Sequence, residues 1–140
     1  MLNNSYPTFQ ANVIFLYMDM KIELIPIPVT DVDRAKAFYV DKIGFNADYD
    51  QKVDEGLRFV QLTPPGSACS IVLGDGMTDM KPGSISSYQM VIADAEAARE
   101  FLRKRGVDVG PVDVQPWGSF VYFSDPDGNK WSLQQLRPKE

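Results

Sequence analysis

The chain has 140 residues and carries 14 Lys and Arg against 19 Asp and Glu, a formal net charge of −5. That length suits one domain with an ordinary buried core, and an acidic balance without a basic tract argues against a nucleic-acid partner. A single cysteine, Cys69, excludes a disulfide framework, and the absence of histidine removes the commonest metal ligand and acid–base group together.

The first twenty residues are Asn-rich and then apolar from Val13 to Met18. That run is too short to cross a membrane. No Lys or Arg precedes Lys21, so a cleaved secretory signal is not expected. Residues 1–20 read as an N-terminal extension, either an upstream segment or an added strand or arm packing on the domain. A cytoplasmic protein without a membrane partner is the expectation.

Residues 21–137 read as one domain. A strand is predicted at 22–29, where Pro26 and Pro28 cannot donate to a ladder and so favour an edge or irregular strand. Asp31 is an N-cap, Val32, Ala35, Phe38 and Tyr39 then form a helical stripe, and Gly44 is a stop signal. Three strands are predicted at 45–50, 57–62 and 68–73, the last two joined by the turn Pro64-Pro65-Gly66. Residues 74–83 read as a linker, with a lid over a pocket as the alternative. A second strand–helix unit follows: a strand at 84–92, a cap at Asp94, a buried stripe of Ala95, Ala98, Phe101 and Leu102, and a stop at Gly106. A short strand near 107–109 precedes a hairpin of 118–123 and 130–136 around Asp125-Pro126-Asp127-Gly128-Asn129, whose residue types specify a tight turn.

Asp31, Ala35 and Phe38 recur 63 positions later as Asp94, Ala98 and Phe101. The chain is therefore a repeat, with modules of about 21–74 and 84–137. The predicted fold class is α+β: paired βαβββ modules, a helix over one face of each small sheet, the other faces forming an open barrel-like cleft.

The order of Val29-Thr30-Asp31, Ala35, Phe38-Tyr39 and Ile43-Gly44-Phe45, then Trp117-Gly118, Phe123, the Asp125–Asn129 turn, Trp131 and Leu133-Gln134, resembles the vicinal oxygen chelate superfamily. That superfamily includes glyoxalase I, the bleomycin-resistance proteins and the extradiol dioxygenases. The resemblance implies a divalent metal on four inward-pointing residues, usually His, Glu or Gln, two from each module. By spacing, those positions fall here on Leu24, Val72, Ser87 and Ser132. Hydrocarbon cannot ligate, and a neutral serine hydroxyl is a poor ligand. Glu23 is the only carboxylate beside the first position, and strand alternation puts it on the opposite face. No metal and no cofactor are expected.

If Leu24 faces the cleft, alternation brings Ser87, Gln89, Ser132 and Gln134 to it as candidate ligand contacts. Trp117 at a strand entrance, Tyr122 as a hydroxyl donor and Arg58 as a basic group complete the candidates. Each has a plain alternative: solvated or edge-tying polar groups, core or dimer packing for Trp117, a surface charge for Arg58. No catalytic residue is assigned. A serine nucleophile has no histidine base, Asp31 and Asp94 are explained by capping, and Asp125 and Asp127 by the turn. The expectation leans away from an enzyme, toward a metal-independent homodimer binding an unidentified small molecule. A family enzyme using atypical residues and a structural or regulatory dimer without ligand remain alternatives.

Overall fold

The computed structural model describes residues 18–137, so the expectation for residues 1–17 lies outside the described part. In chain order the elements are β1 (Leu24–Pro26), α1 (Val32–Ala37), running on as a π-helical segment (Phe38–Ile43), β2 (Asn46–Asp54), β3 (Leu57–Thr63) and β4 (Ser70–Leu73). The second module repeats them as β5 (Tyr88–Ile92), α2 (Ala95–Lys104), β6 (Asp113–Gln115), β7 (Gly118–Ser124) and β8 (Lys130–Leu136). The sheets have matching orders, β1-β4-β3-β2 and β5-β8-β7-β6. In each, the first strand pairs parallel with the last and the other pairs are antiparallel. Among the described residues no helix is long and apolar enough to cross a membrane.

Both helices start as expected. The Asp31 and Asp94 carboxylates accept the amides of Arg34 and Ala97, each at 3.0 Å, satisfying donors that the first turn leaves free. Gly44 ends the first helix at φ 95°, a left-handed conformation that a Cβ would penalise. β1 is a three-residue edge strand, as its prolines require.

Several boundaries differ from the predicted ones. β5 starts at Tyr88 rather than residue 84, because Ile85 is tied elsewhere: its amide donates to Asn129 Oδ1 at 3.0 Å and its carbonyl accepts from Lys130. No strand forms at 107–109. The Val107 amide instead bonds back to Leu102 at the helix end, its side chain is buried, and pairing begins only at Asp113. Phe101 is 40% exposed rather than buried, with the Arg105 guanidinium 3.8 Å above its ring. Cys69 is only partly buried.

One hydrophobic core serves both modules. It joins Ile27, Ala35, Tyr39 and Phe45 of the first to Leu102, Val121, Phe123 and Trp131 of the second. These are helix-side residues, so the covered faces of the sheets meet each other. At the junction the buried Tyr39 hydroxyl donates to Asp125 Oδ2 at 2.8 Å and accepts from Trp131 Nε1 at 2.9 Å. Asp125 Oδ1 takes the amides of Asp127 and Asn129. Asn129 Nδ2 reaches Asp125 and the Pro28 carbonyl at 2.8 and 2.9 Å. Asp127 in turn accepts from the Thr30 hydroxyl and amide. The tight turn of the second module is thus a staple onto the first. The linker is pinned as well, since Gly83 donates to the Pro28 carbonyl and a Cβ there would lie 2.2 Å from the Asp127 carbonyl oxygen.

Tyr39→Phe should cost about 1–3 kcal/mol in urea denaturation, because the indole N–H loses its acceptor and Asp125 a donor, both in a buried site. Burial, and next the charge of Asp125, push the Tyr39 phenol well above its usual range. A folded-state value above the unfolded one leaves the stabilisation complete below pH about 10 and erodes it at higher pH. The same substitution should flatten that alkaline loss. A cost below about 0.5 kcal/mol, the range of ordinary surface changes, would contradict the assignment.

Candidate functional site

Strand registers define which side chains share the faces left open by the helices. In the first sheet Leu24 pairs with Ser70 and Pro26 with Val72, and Val72 pairs with Gln61. In the second, Gln89 pairs with Ser132, Val91 with Gln134, Tyr122 with Ser132 and Phe120 with Gln134. Alternation confirms the split: Trp131, Leu133, Val121 and Phe123 belong to the shared core, whereas the buried residues Val72 and Phe120 do not. The open faces carry large exposed side chains, including Tyr49, Val91 and Tyr122.

On the second sheet's open face the polar candidates form one chain. Ser132 Oγ donates to Gln89 Oε1 at 3.1 Å, Gln89 Nε2 donates to Gln134 Oε1 at 2.7 Å, and Gln134 Nε2 donates to the Trp117 carbonyl at 3.2 Å. A carbonyl can only accept, so Trp117 fixes the orientation of the Gln134 amide, which fixes Gln89 in turn. Each glutamine keeps a second N–H and Ser132 keeps its lone pairs. Gly118 makes this packing feasible, since a Cβ there would lie 2.8 Å from Gln134 Nε2 and from the Gln135 carbonyl oxygen.

Beside this chain lies a second group. Tyr122 Oη donates to Asp113 Oδ2 at 2.7 Å, and Gln115 Nε2 donates to Asp113 Oδ1 at 2.8 Å. The bond to the Asp113 carboxylate holds the Tyr122 phenol above its ordinary range. The Phe120 and Tyr122 rings are parallel within 6°, their centroids 6.0 Å apart. A concavity of about 490 Å³ beside Tyr122 is lined also by Ser87, Ser132, Lys130 and Asp108. On the first sheet's face, Thr63 Oγ1 lies 2.6 Å from Ser70 Oγ and bonds to the Asp48 carboxylate.

The structure therefore brings Gln89, Ser132, Gln134 and Tyr122 together, with Ser87 at their margin and Trp117, 63% exposed, at the rim. Arg58 is elsewhere. It pairs across the strands with Lys52, on the helix-covered side, and its guanidinium bonds to Asp50 at 2.9 and 3.0 Å and contacts Asp33 at 2.9 Å. That network holds the Asp50 carboxyl well below its usual range, through the hydrogen bonds from Arg58 first and Lys36 second. Asp113, Gln115 and Phe120 join the site without being singled out by the sequence, the first two because the strand predicted at 107–109 lies six residues before β6. The polar–apolar–polar alternation of Asp113-Val114-Gln115 was the available signal.

The donor set does not fit a family-type metal. Leu24 and Val72 offer hydrocarbon and Ser132 spends its proton on Gln89. Among the described residues no three His, Cys, Asp or Glu side chains gather as a metal site requires.

Residues 21–133 match the family of the glyoxalase/bleomycin resistance protein/dioxygenase superfamily, and the chain belongs to it. Among solved structures, TnmS3, an antibiotic binding protein from Streptomyces sp. CB03234, is 37% identical with a TM-score of 0.78, over 86% of this chain and 98% of that one. A glyoxalase/bleomycin resistance protein from the same Streptomyces is 39% identical with a TM-score of 0.73, over 82% of this chain and all of that one. YetH of Bacillus subtilis (strain 168) is 26% identical over 84% of this chain and its own full length.

Two substitutions separate the open face from the covered one. Gly118→Ala, which collides with backbone, should cost about 1–3 kcal/mol in chemical denaturation. Arg58→Ala, on an exposed ion network, should cost about 0–1 kcal/mol. The reverse ranking would contradict the assignment of faces.

Proposed function

We propose that this protein binds a small antibiotic-like molecule without a metal, in a cleft that a second copy completes. The observation that carries the reading is the make-up of the family's site positions. Groups that would hold a cation are replaced by hydrocarbon and hydroxyl, and beside them an ordered amide–hydroxyl chain runs across an exposed sheet face. Small-molecule sites combine such apolar walls with a few fixed polar groups. The likeness to an antibiotic binding protein over nearly all of this chain supports the same reading.

The packing supports a second copy. The helix-side faces of both modules are consumed by the shared core, so each open face looks outward. One sheet face buries too little of a ligand, whereas a pocket usually covers about 70–90% of it. A two-fold dimer lays the first sheet of one copy over the second sheet of its partner and builds two equal clefts.

Thermal shift and calorimetric titration with bleomycin and daunorubicin in EDTA, with sedimentation of the same samples, test this. The expected result is a dimer, one site per chain, a raised melting temperature with at least one probe, and no effect of EDTA. Gln134→Leu should weaken that binding about tenfold, the loss of one or two hydrogen bonds. A monomer, or binding and turnover that appear only on adding a divalent metal, would overturn the proposal. A folded dimer with a flat response to a broad antibiotic library would favour the structural role instead.

A further inference from the structure

Resting on that binding reading, we infer that the open face of the second sheet selects a cationic planar aromatic molecule. Asp113 is its counter-charge and Tyr122 its stacking ring. Phe120 is buried and parallel to Tyr122, so it backs the exposed ring rather than competing for the same space. Tyr122 spends its hydroxyl proton on Asp113, which tilts its use toward the ring face. The ring's π-face attracts cations.

The carboxylate is held but not neutralised. Its two partners, Tyr122 and Gln115, are both uncharged. Three aspartates are ion-paired instead: Asp50 has Lys36 and Arg58, Asp33 has Arg58, and Asp127 has Arg34. Among the described residues no Lys or Arg nitrogen comes within ion-pair distance of Asp113. The remaining lone pairs of Asp113 stay free for a ligand donor.

Charge on the rest of the open faces points the same way. The first sheet contributes Asp48, bonded to Thr63, while Arg58 and Lys52 lie on its covered side. On the second sheet, Lys130, at the turn end of β8, shares its concavity with Asp108, and Arg137, just past the other end of β8, donates to the Pro116 carbonyl. In the dimer a ligand between the two sheets therefore meets a carboxylate from each copy. A desolvated cation over an aromatic ring beside a carboxylate is bound far better than a neutral isostere.

The test compares three acridines of one shape on the full chain: cationic proflavine, neutral acridone and anionic acridine-9-carboxylate. Fluorescence titration at low and moderate salt gives their affinities. Proflavine should bind about tenfold more tightly than acridone, with the carboxylate weakest, and the margin should shrink as salt rises. Asp113→Asn keeps the shape, its amide oxygen still accepting from Gln115 and its amide nitrogen now donating to the Tyr122 hydroxyl, and should collapse the proflavine-to-acridone ratio to about one. Circular dichroism and melting of that variant confirm that it folds. Equal binding of all three probes, or a preference for the anion, would overturn the inference while leaving the binding reading intact. The same holds if proflavine is preferred but Asp113→Asn leaves the ratio unchanged. Failure of the folded protein to bind any acridine and any antibiotic would overturn both.

Discussion

The hydroxyl of Tyr39 is the point on which the architecture turns. It is buried, it gives its proton to Asp125 of the other module, and it takes one from Trp131. A buried hydroxyl is costly unless both functions are met, so the pair of bonds fixes how the modules sit. They meet through their helix-covered faces, around rings that include Phe38, Phe45, Phe123 and Trp131. The staple from Asp125, Asp127 and Asn129 to Pro28 and Thr30 adds polar contacts at the same seam.

That packing decides what is left for function. With the covered faces spent on one core, the two open faces are turned outward and carry the exposed aromatic and polar groups. The chain of Ser132, Gln89 and Gln134 is ordered by its own hydrogen bonds and anchored on the Trp117 carbonyl. Such a face is pre-arranged, which would lower the ordering cost of the binding proposed above. The groups of that chain are neutral donors and acceptors, the kind that a recognition surface uses.

Much of this was legible in the sequence because local signals and the repeat agree. Asp31 and Asp94 announced the helix starts, Gly44 a stop, and the 63-residue offset the two modules. The alternation along β5 and β8 was enough to group Gln89, Ser132 and Gln134. Long-range partners were not legible. Asp125 and Asn129 read as turn residues, and only the fold reveals that they grip Tyr39 and Pro28. Arg58 read as a free cation because its partners, Asp50 and Asp33, come from another strand and a helix. β6 was misplaced because Val107 and Val109 have strand propensity, yet Val107 is drawn into the core by the helix end.

The chain's two tryptophans sit in different surroundings, which gives the most direct test of where a ligand goes. Trp131 is buried against Tyr39 in the shared core, and Trp117 is exposed in the β6–β7 turn, where its carbonyl holds the Gln134 amide of the open face. Behind the sheet lies a mostly apolar hollow of about 650 Å³ between the Pro64–Ser67 turn and α2. The measurement is the movement of the two indole N–H signals in nitrogen–proton correlation spectra during titration with a planar antibiotic. Binding on the open face should shift the Trp117 signal saturably and leave Trp131 in place. A shift of Trp131 with Trp117 unmoved would put the ligand behind the sheet and contradict the account.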